Sequence, residues 1–181
     1  MLTQQIKTKR LVLCLATQGD LPALEELERE CDAYFTFDPP SGTEYNRSLR
    51  ECLSVGDIIP GVSDENYKRE NYHLYCVWKN NALVGWVSFY LECHAKDAVY
   101  LSVAYIKEAF RASGFGTEIM EALECRFTAA GVKTIKTHCS LRNALSLKFL
   151  VKHGVDRIVD VECDGNLLPE RFGGIELMKQ L

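Results

Sequence analysis

The residues best suited to bind an anion lie in one short stretch, Arg-Ala-Ser-Gly-Phe-Gly-Thr at 111–117. The preceding run, 98–106, is rich in β-branched and aromatic residues and predicts a strand. The following run carries apolar residues at helical spacing as far as Gly131, which predicts a helix. The first N–H groups of a helix lack partners and point outward with the positive end of its dipole, so this junction suits a phosphate. Glycines permit close approach of the backbone, and Arg111 adds a forked cation that matches phosphate oxygens.

The spacing within this stretch argues against two better-known glycine loops. A Walker loop needs Lys and then Ser or Thr after its last glycine, whereas Gly116 is followed by Thr117 and Glu118. A dinucleotide fingerprint needs a third glycine. A glycine-containing connection without a ligand stays open as the alternative at this point.

Length and composition bound the remaining possibilities. A chain of 181 residues is most simply one domain, here 1–181, and 47% hydrophobic residues are enough for a core. The net charge of −4 argues against nucleic acid as the main partner and is compatible with an amine-bearing substrate.

The cysteines, the histidines and the hydropathy of the sequence bear on its redox state, its metal binding and its cellular compartment. The eight cysteines form no C-x-x-C pair and mostly lie in apolar runs, so we expect reduced, buried thiols. His73, His138 and His153 lack metal-ligand spacing, so we expect no metal and assign these residues no role. Without a signal peptide or an apolar segment near the length of a membrane span, a cytoplasmic protein with no membrane partner is expected.

The order of elements predicted along the chain is βαα, three antiparallel strands, then αβαββ. Asp20 is expected to cap the first helix, with Pro22 in its first turn. The strand at 98–106, its helix and the strand at 133–139 should form a parallel, right-handed βαβ unit. The other predicted segments are a strand at 10–15, a helix at 43–55, a hairpin of 72–78 and 83–91 with its turn at 79–81, a helix at 143–153, and strands at 155–161 and 175–181.

Arg-x-x-Gly-x-Gly between a strand and a helix resembles the acyl-CoA loop of the GNAT superfamily of N-acetyltransferases. The resemblance covers nearly the full chain, because the order of elements and the opening Lys-Arg-Leu-Val-Leu-Cys-Leu at 9–15 are also similar to that family. It implies an α/β fold, mixed and α+β-like, with a central mostly antiparallel sheet of about seven strands. Helices should flank both faces, with one parallel βαβ unit at the cofactor site.

A second family signature, Asn-x-x-Ala followed by an aromatic residue and then Gly-Phe, falls in register with Asn143, Ser146 and Gly154. The resemblance implies that Asn143 contacts the pantetheine arm, while a simple helix N-cap is the alternative. Relatives often place a tyrosine acid where this chain has Leu150. Leucine cannot donate a proton, so we expect Leu150 to pack beside the pantetheine.

The resemblance also implies where acetyl-CoA binds as co-substrate. The pyrophosphate should meet the backbone of the glycine loop. The thioester carbonyl should meet a main-chain N–H near Ala104 to Ile106, and Ile106 is the residue assigned to catalysis. The implied cofactor contacts are Ala104, Tyr105, Ile106, Arg111, Ala112, Ser113, Gly114, Phe115, Gly116, Thr117, Asn143, Ser146 and Leu150.

The general base is the least defined part of this interpretation. The segment 98–106 carries no carboxylate, so Glu92 is the first candidate, acting directly or through water, with His94 and Asp97 next. An exposed charge at a strand end is the alternative for Glu92. Cys139 should lie near the thioester, with a core thiol as its alternative. The residues considered for the 3′-phosphate, or for a solvated helix face, are Arg142, Lys148 and Lys152.

The implied reaction is direct transfer of an acetyl group from acetyl-CoA to a primary amine in a ternary complex. The acceptor would be an amine-bearing small molecule or peptide, held by 35–37, 56–66 and 167–169. A homodimer is also compatible with this interpretation. A non-catalytic CoA-binding sensor or scaffold with the same fold is the alternative, and the absent Lys-Ser/Thr pair disfavours a nucleotide hydrolase.

Overall fold

The structure is a computed structural model, and it describes residues 3–34, 69–141, 143–161 and 174–181. The predicted helix at 43–55, the three predicted acceptor segments and Arg142 lie outside the described residues. The strands are β1 (Gln5–Lys7), β2 (Val12–Leu15), β3 (Tyr72–Lys79), β4 (Ala82–Leu91), β5 (Ala98–Ile106), β6 (Thr134–Ser140), β7 (Arg157–Val161) and β8 (Gly174–Gln180). The α-helices are α1 (Leu21–Tyr34), α2 (Phe115–Ala129) and α3 (Ala144–Lys152).

The strands form one eight-stranded sheet in the order β1-β2-β3-β4-β5-β6-β8-β7. All neighbours are antiparallel except β5 and β6, which are parallel and are connected through α2. This is the predicted GNAT fold with its βαβ unit. The strand beyond the expected seven is β1, a three-residue segment that pairs with β2.

Helices cover both faces of the sheet. On one face, α2 and α3 contribute Ile119, Leu123 and Leu150 to the larger buried cluster, together with Phe89 and Ile135 from the strands. On the other face, α1 packs through its buried leucines against β3, β4 and β5. The amphipathic spacing that predicted these helices is the spacing that buries them.

Two turns show how individual side chains determine where strands and helices begin and end. Asn80 and Asn81 adopt φ values of 48° and 65°, the left-handed turn that joins β3 to β4 and that asparagine tolerates. The prediction that Asp20 caps α1 is wrong. Its carboxylate accepts hydrogen bonds from the Thr17 backbone N–H at 2.8 Å and hydroxyl at 2.7 Å, so the helical run begins one short 3₁₀ turn earlier.

Candidate active site

The glycine loop leads into α2 with an unusual backbone. Gly114 is the N-cap residue at φ +80°, and Ala112 also has a positive φ, +57°. Gly114 needs the freedom of glycine, since an L side chain in this conformation is strained. A left-handed turn directly before a 15-residue helix points backbone N–H groups outward, an arrangement that binds anions.

Gly116 has a packing role that its position in the sequence did not reveal. A Cβ at this position would lie 3.0 Å from Cε2 of Phe149 on α3. The missing side chain therefore lets the Phe149 ring lie against the first turn of α2. Closeness to a ligand, the basis on which this glycine was assigned to the cofactor, stays a prediction.

Arg10 anchors the loop to the sheet, a role that sequence reasoning missed. Its Nη1 donates to the Ser113 carbonyl at 2.9 Å, and its Nε meets Glu118 Oε2 at 2.7 Å. The guanidinium carbon lies 4.6 Å from the centroid of the Phe115 ring. These contacts join positions more than 100 residues apart in the chain. Periodicity and local motifs in the sequence therefore could not predict them.

Arg111, predicted to be a phosphate cation, folds back onto β5. Its Nε donates to the Ile106 carbonyl at 2.8 Å, and its guanidinium carbon lies 5.3 Å from the Tyr105 ring centroid. The loop is thus connected to the end of β5, where the carbonyl donor was predicted.

An opening separates β5 from β6 beside this loop. Their ladder comprises three pairs and ends at Tyr100 and Lys136, although β5 continues to Ile106. Just beyond it, the buried Thr137 hydroxyl donates to the Leu101 carbonyl at 2.8 Å. Ala104, in the part of β5 beyond the ladder, is exposed although β5 is a central strand of the sheet.

The backbone of β5 offers N–H groups to this opening. Lys107 donates its N–H to Val84 of β4 at 2.9 Å. Successive N–H groups of a strand point to opposite edges, so those of Ile106 and Ala104 point toward the opening. This geometry fits the predicted main-chain donor to a thioester carbonyl.

A β-bulge on β5 was not predicted. Leu101 pairs with Phe89 and Val103 pairs with Ser88, which leaves Ser102 unpaired and exposed. Bulges bend a strand and often lie next to active sites. No sequence signal marks this one, because Ser102 sits in an otherwise regular apolar run.

The second motif forms the start of helix α3. Asn143 is the N-cap of α3, and its Oδ1 accepts the Ser146 N–H at 3.1 Å. Its amide nitrogen is not used in that bond, so contact with pantetheine stays a prediction beside the capping role. Ser146 is half-buried, and Leu150 is buried in the larger core cluster.

The end of α3 lies next to the first turn of α2. Thr117 Oγ1 is 3.2 Å from His153 Nε2, and Lys152 Nζ lies 3.5 Å from the same oxygen. Burial lowers the pKa of His153; Glu124 opposes this shift and Lys152 adds to it. Lys148 and Lys152 are exposed, which is compatible with either of their two interpretations.

Glu92 is not brought to the opening. It is exposed, with φ +54°, in the turn after β4. Leu91, the residue before it, pairs with Val99, and the strand from Val99 to Ala104 spans about 16 Å. His94 and Asp97 lie at the same end, where Asp97 pairs with Lys133 at 3.3 Å. None of these groups reaches an amine beside Ile106 directly, and the alternative of a strand-end charge describes Glu92 better.

None of five described cysteines forms a disulfide: Cys14, Cys76, Cys93, Cys125 and Cys139. Cys139 is buried in the core beside the opening, with its Sγ 3.5 Å from the Ser140 carbonyl, as the core-thiol alternative requires. Cys76 and Cys93 are also buried, and burial raises the pKa of Cys76 to about 12. Cys125 is exposed on α2, contrary to the general expectation of burial.

The described residues hold neither a cluster suited to a metal ion nor a helix suited to crossing a membrane. Within 3–34, 69–141, 143–161 and 174–181, no group of three or more His, Cys, Asp or Glu side chains is placed to hold a metal ion. No helix in those ranges is both long and apolar enough to cross a membrane.

Comparison with known proteins resolves the family. The profile of the Acetyltransferase (GNAT) family matches residues 24–155. The chain belongs to this family. The match covers the glycine loop, the opening and the second motif, so these features lie within an acetyltransferase domain of the GNAT family. A search of curated protein sequences found no match.

Solved structures with a similar fold include several N-acetyltransferases. RimL, a ribosomal L7/L12 alpha-N-protein acetyltransferase, aligns with a TM-score of 0.73 at 17% identity, covering 100% of this chain and 96% of RimL. Its complex with coenzyme A aligns with a TM-score of 0.72 at 15% identity, with 98% of each chain covered. The ribosomal-protein-S18-alanine N-acetyltransferase from Escherichia coli aligns with a TM-score of 0.66 at 13% identity, with 94% and 93% covered. At these identities the likeness concerns the fold.

Proposed function

We propose that this chain, as one domain over 1–181, transfers an acetyl group from acetyl-CoA directly to a primary amine in a ternary complex. The observation that carries the proposal is the position of the glycine loop directly beside the opening between β5 and β6. An anion site and a row of free-edge N–H groups then lie along one path, as a phosphate-bearing thioester requires.

The residues along this path suit acetyl-CoA. The backbone from Ala112 to Thr117 would hold the pyrophosphate, and the N–H groups of Ala104 and Ile106 would meet the pantetheine arm and the carbonyl. Acetyl-CoA supplies an activated acyl group whose thiol leaves readily, because a thiol's pKa is near 8.5. Strong general acid catalysis is therefore not essential, which is consistent with Leu150 in the register of the family's tyrosine.

The amine of a small molecule or a peptide is the proposed acceptor. RimL and the S18 enzyme are described as acetylating protein amines, so a peptide N-terminus is the first acceptor to test. The negative net charge, −4, is compatible with attraction of a cationic amine.

A panel of amines tests this function. Thiol release from acetyl-CoA is followed with alanyl peptides, lysine, a polyamine and an aminoglycoside, against a reaction without acceptor. Amine-dependent release, with the acetylated product found by mass spectrometry, supports the proposal. The alternative, a CoA-binding module, is favoured by Leu150 and by the distance of Glu92 from the opening. Calorimetric binding of acetyl-CoA without release to any amine would establish that alternative instead.

A further inference from the structure

His138 lies on β6 immediately past the point where β5 and β6 separate. Their last pair is Tyr100 with Lys136. The same parallel register, continued by two residues on each strand, places His138 across the opening from Ser102, the bulged residue of β5. A titratable side chain therefore borders the opening at the level of the bulge.

The imidazole faces away from the side of the sheet that carries the glycine loop's helix. Ile135 and Cys139 on β6 are buried in the cluster with α2, and the alternation of a strand places His138 on the opposite face. His138 is exposed, while its neighbours Thr137 and Cys139 are buried. An acceptor that approaches from the face opposite α2 would meet this ring first.

A carboxylate residue lies directly across from His138 on the neighbouring strand. Glu176 on β8 is the direct antiparallel partner of His138, a relationship that brings Cβ atoms to about 4.5–5.5 Å. Glu176 also pairs with Lys136, whose Nζ is 3.2 Å from Glu176 Oε1. At this separation a carboxylate can orient a histidine ring through a hydrogen bond.

The backbone of β8 leaves space for the ring. A Cβ at Gly174 would lie 1.8 Å from His138 Nε2 and 2.1 Å from Cε1. No side chain other than hydrogen fits at position 174 with the imidazole where it is. Gly174 and His138 are thus matched in shape at the mouth of the opening.

We propose that His138 is the general base that deprotonates the acceptor ammonium, with Glu176 as a positioning residue. This inference rests on the proposed function. The ammonium gives one proton to the His138 ring, and the freed nitrogen lone pair forms a C–N bond to the thioester carbonyl carbon. The C–S bond then breaks, its electron pair leaves with sulfur, and the thiolate takes the second nitrogen proton. His138 returns its proton to water.

His138→Asn is the direct test, carried out with an amine that the panel identifies as an acceptor. A positioned base contributes about 10²–10⁴-fold, so kcat should fall by at least the lower figure while the Kd for acetyl-CoA stays within about twofold. Added imidazole should restore part of the rate. Lys96→Ala is the control, at an exposed position in the turn between β4 and β5 whose loss should leave kcat unchanged.

Two further variants separate chemistry from folding. Gly174→Ala keeps the histidine and displaces its ring, so it should also lower kcat, without rescue by imidazole. Glu176→Gln should lower kcat with little change in KM, and Glu176→Asp should recover part of the loss. Melting temperatures establish that each variant is folded.

The outcomes distinguish this inference from the proposed function. If the wild-type chain acetylates an amine and His138→Asn retains its kcat, His138 is not the base and the proposed function stands. If folded His138→Asn is inactive through lost acetyl-CoA binding, a base role is equally refuted. If the wild-type chain acetylates no amine, both proposals fail.

Discussion

Arg10 and Glu118 form an ion pair between the turn that joins β1 to β2 and the first turn of α2, with Nε and Oε2 2.7 Å apart. Glu118 also accepts hydrogen bonds from the Arg10 backbone N–H at 2.6 Å and from the Thr8 hydroxyl. The first turn of α2 is therefore held to the sheet by a carboxylate placed where the helix dipole favours it. The orientation of the glycine loop depends on this connection.

Arg10→Ala should weaken acetyl-CoA binding. The variant loses the hydrogen bond to the Ser113 carbonyl and the ion pair with Glu118, contacts that fix the loop. We expect calorimetry to show an increase in Kd of roughly 5- to 20-fold, equivalent to about 1–2 kcal/mol. Arg10→Lys should recover part of this loss, and Lys9→Ala, at the exposed neighbouring position, should match wild type. An unchanged Kd in folded Arg10→Ala would show that the loop is held by other contacts.

Glu118 should make stability depend on pH below neutrality. Burial alone would raise its pKa, but hydrogen bonds from Thr8 and Arg10 and the Arg10 charge outweigh this, and the pKa is lowered from 4.5. A carboxyl group with a lowered folded-state pKa stabilises the fold above its unfolded pKa, and this stability is lost as pH falls through the folded value.

The measurement is the melting temperature from pH 6 down to pH 3. Wild type should exceed Glu118→Gln at pH 6, and the difference should shrink as the pH falls below 4.5. Glu121→Gln, at an exposed position on the same helix, is the control and should follow wild type. A difference that stays constant over this range would contradict the assignment.

Gly114→Ala and Gly131→Ala form a matched pair. Both glycines have positive φ, +80° and +84°, so each alanine should cost about 1–2 kcal/mol of stability. Gly131 lies past the other end of α2, with open space around its missing Cβ. We expect reduced acetyl-CoA affinity for Gly114→Ala alone. Equal affinity in the two variants would remove the glycine loop from the binding site.

Leu150→Met tests whether position 150 takes part in the chemistry. Leu150 is 4% exposed in the core cluster, and methionine is close to it in volume. The variant should keep kcat within a few-fold and cost under about 1.5 kcal/mol of stability. A loss of about a hundredfold in kcat, with affinity and melting temperature unchanged, would implicate this position in catalysis.

The sequence predicted those elements whose determinants are local. The strand over 98–106 was predicted at its observed bounds, because an apolar run and the glycine loop mark both of its ends. Asn143 capping and the left-handed Asn80–Asn81 turn likewise follow from single residues and their neighbours.

Features that depend on pairing across the sheet could not be predicted in this way. Strand order by itself made Glu92 the nearest carboxylate, but the register places it beside the beginning of β5, away from Ala104. The bulge at Ser102 and the position of His138 over Gly174 depend on the neighbouring strand. The connection of Arg10 to Ser113 joins segments 103 residues apart.

The short ladder between β5 and β6 has a mechanical consequence. Five strands lie on one side of it and three on the other, and the two groups share three residue pairs. Few hydrogen bonds of the sheet therefore resist a rotation of the smaller group of strands against the larger one. A molecule that contacts both edges of the opening would restrain that rotation. Its binding should then slow amide exchange even in β7, the outermost strand, where it makes no contact.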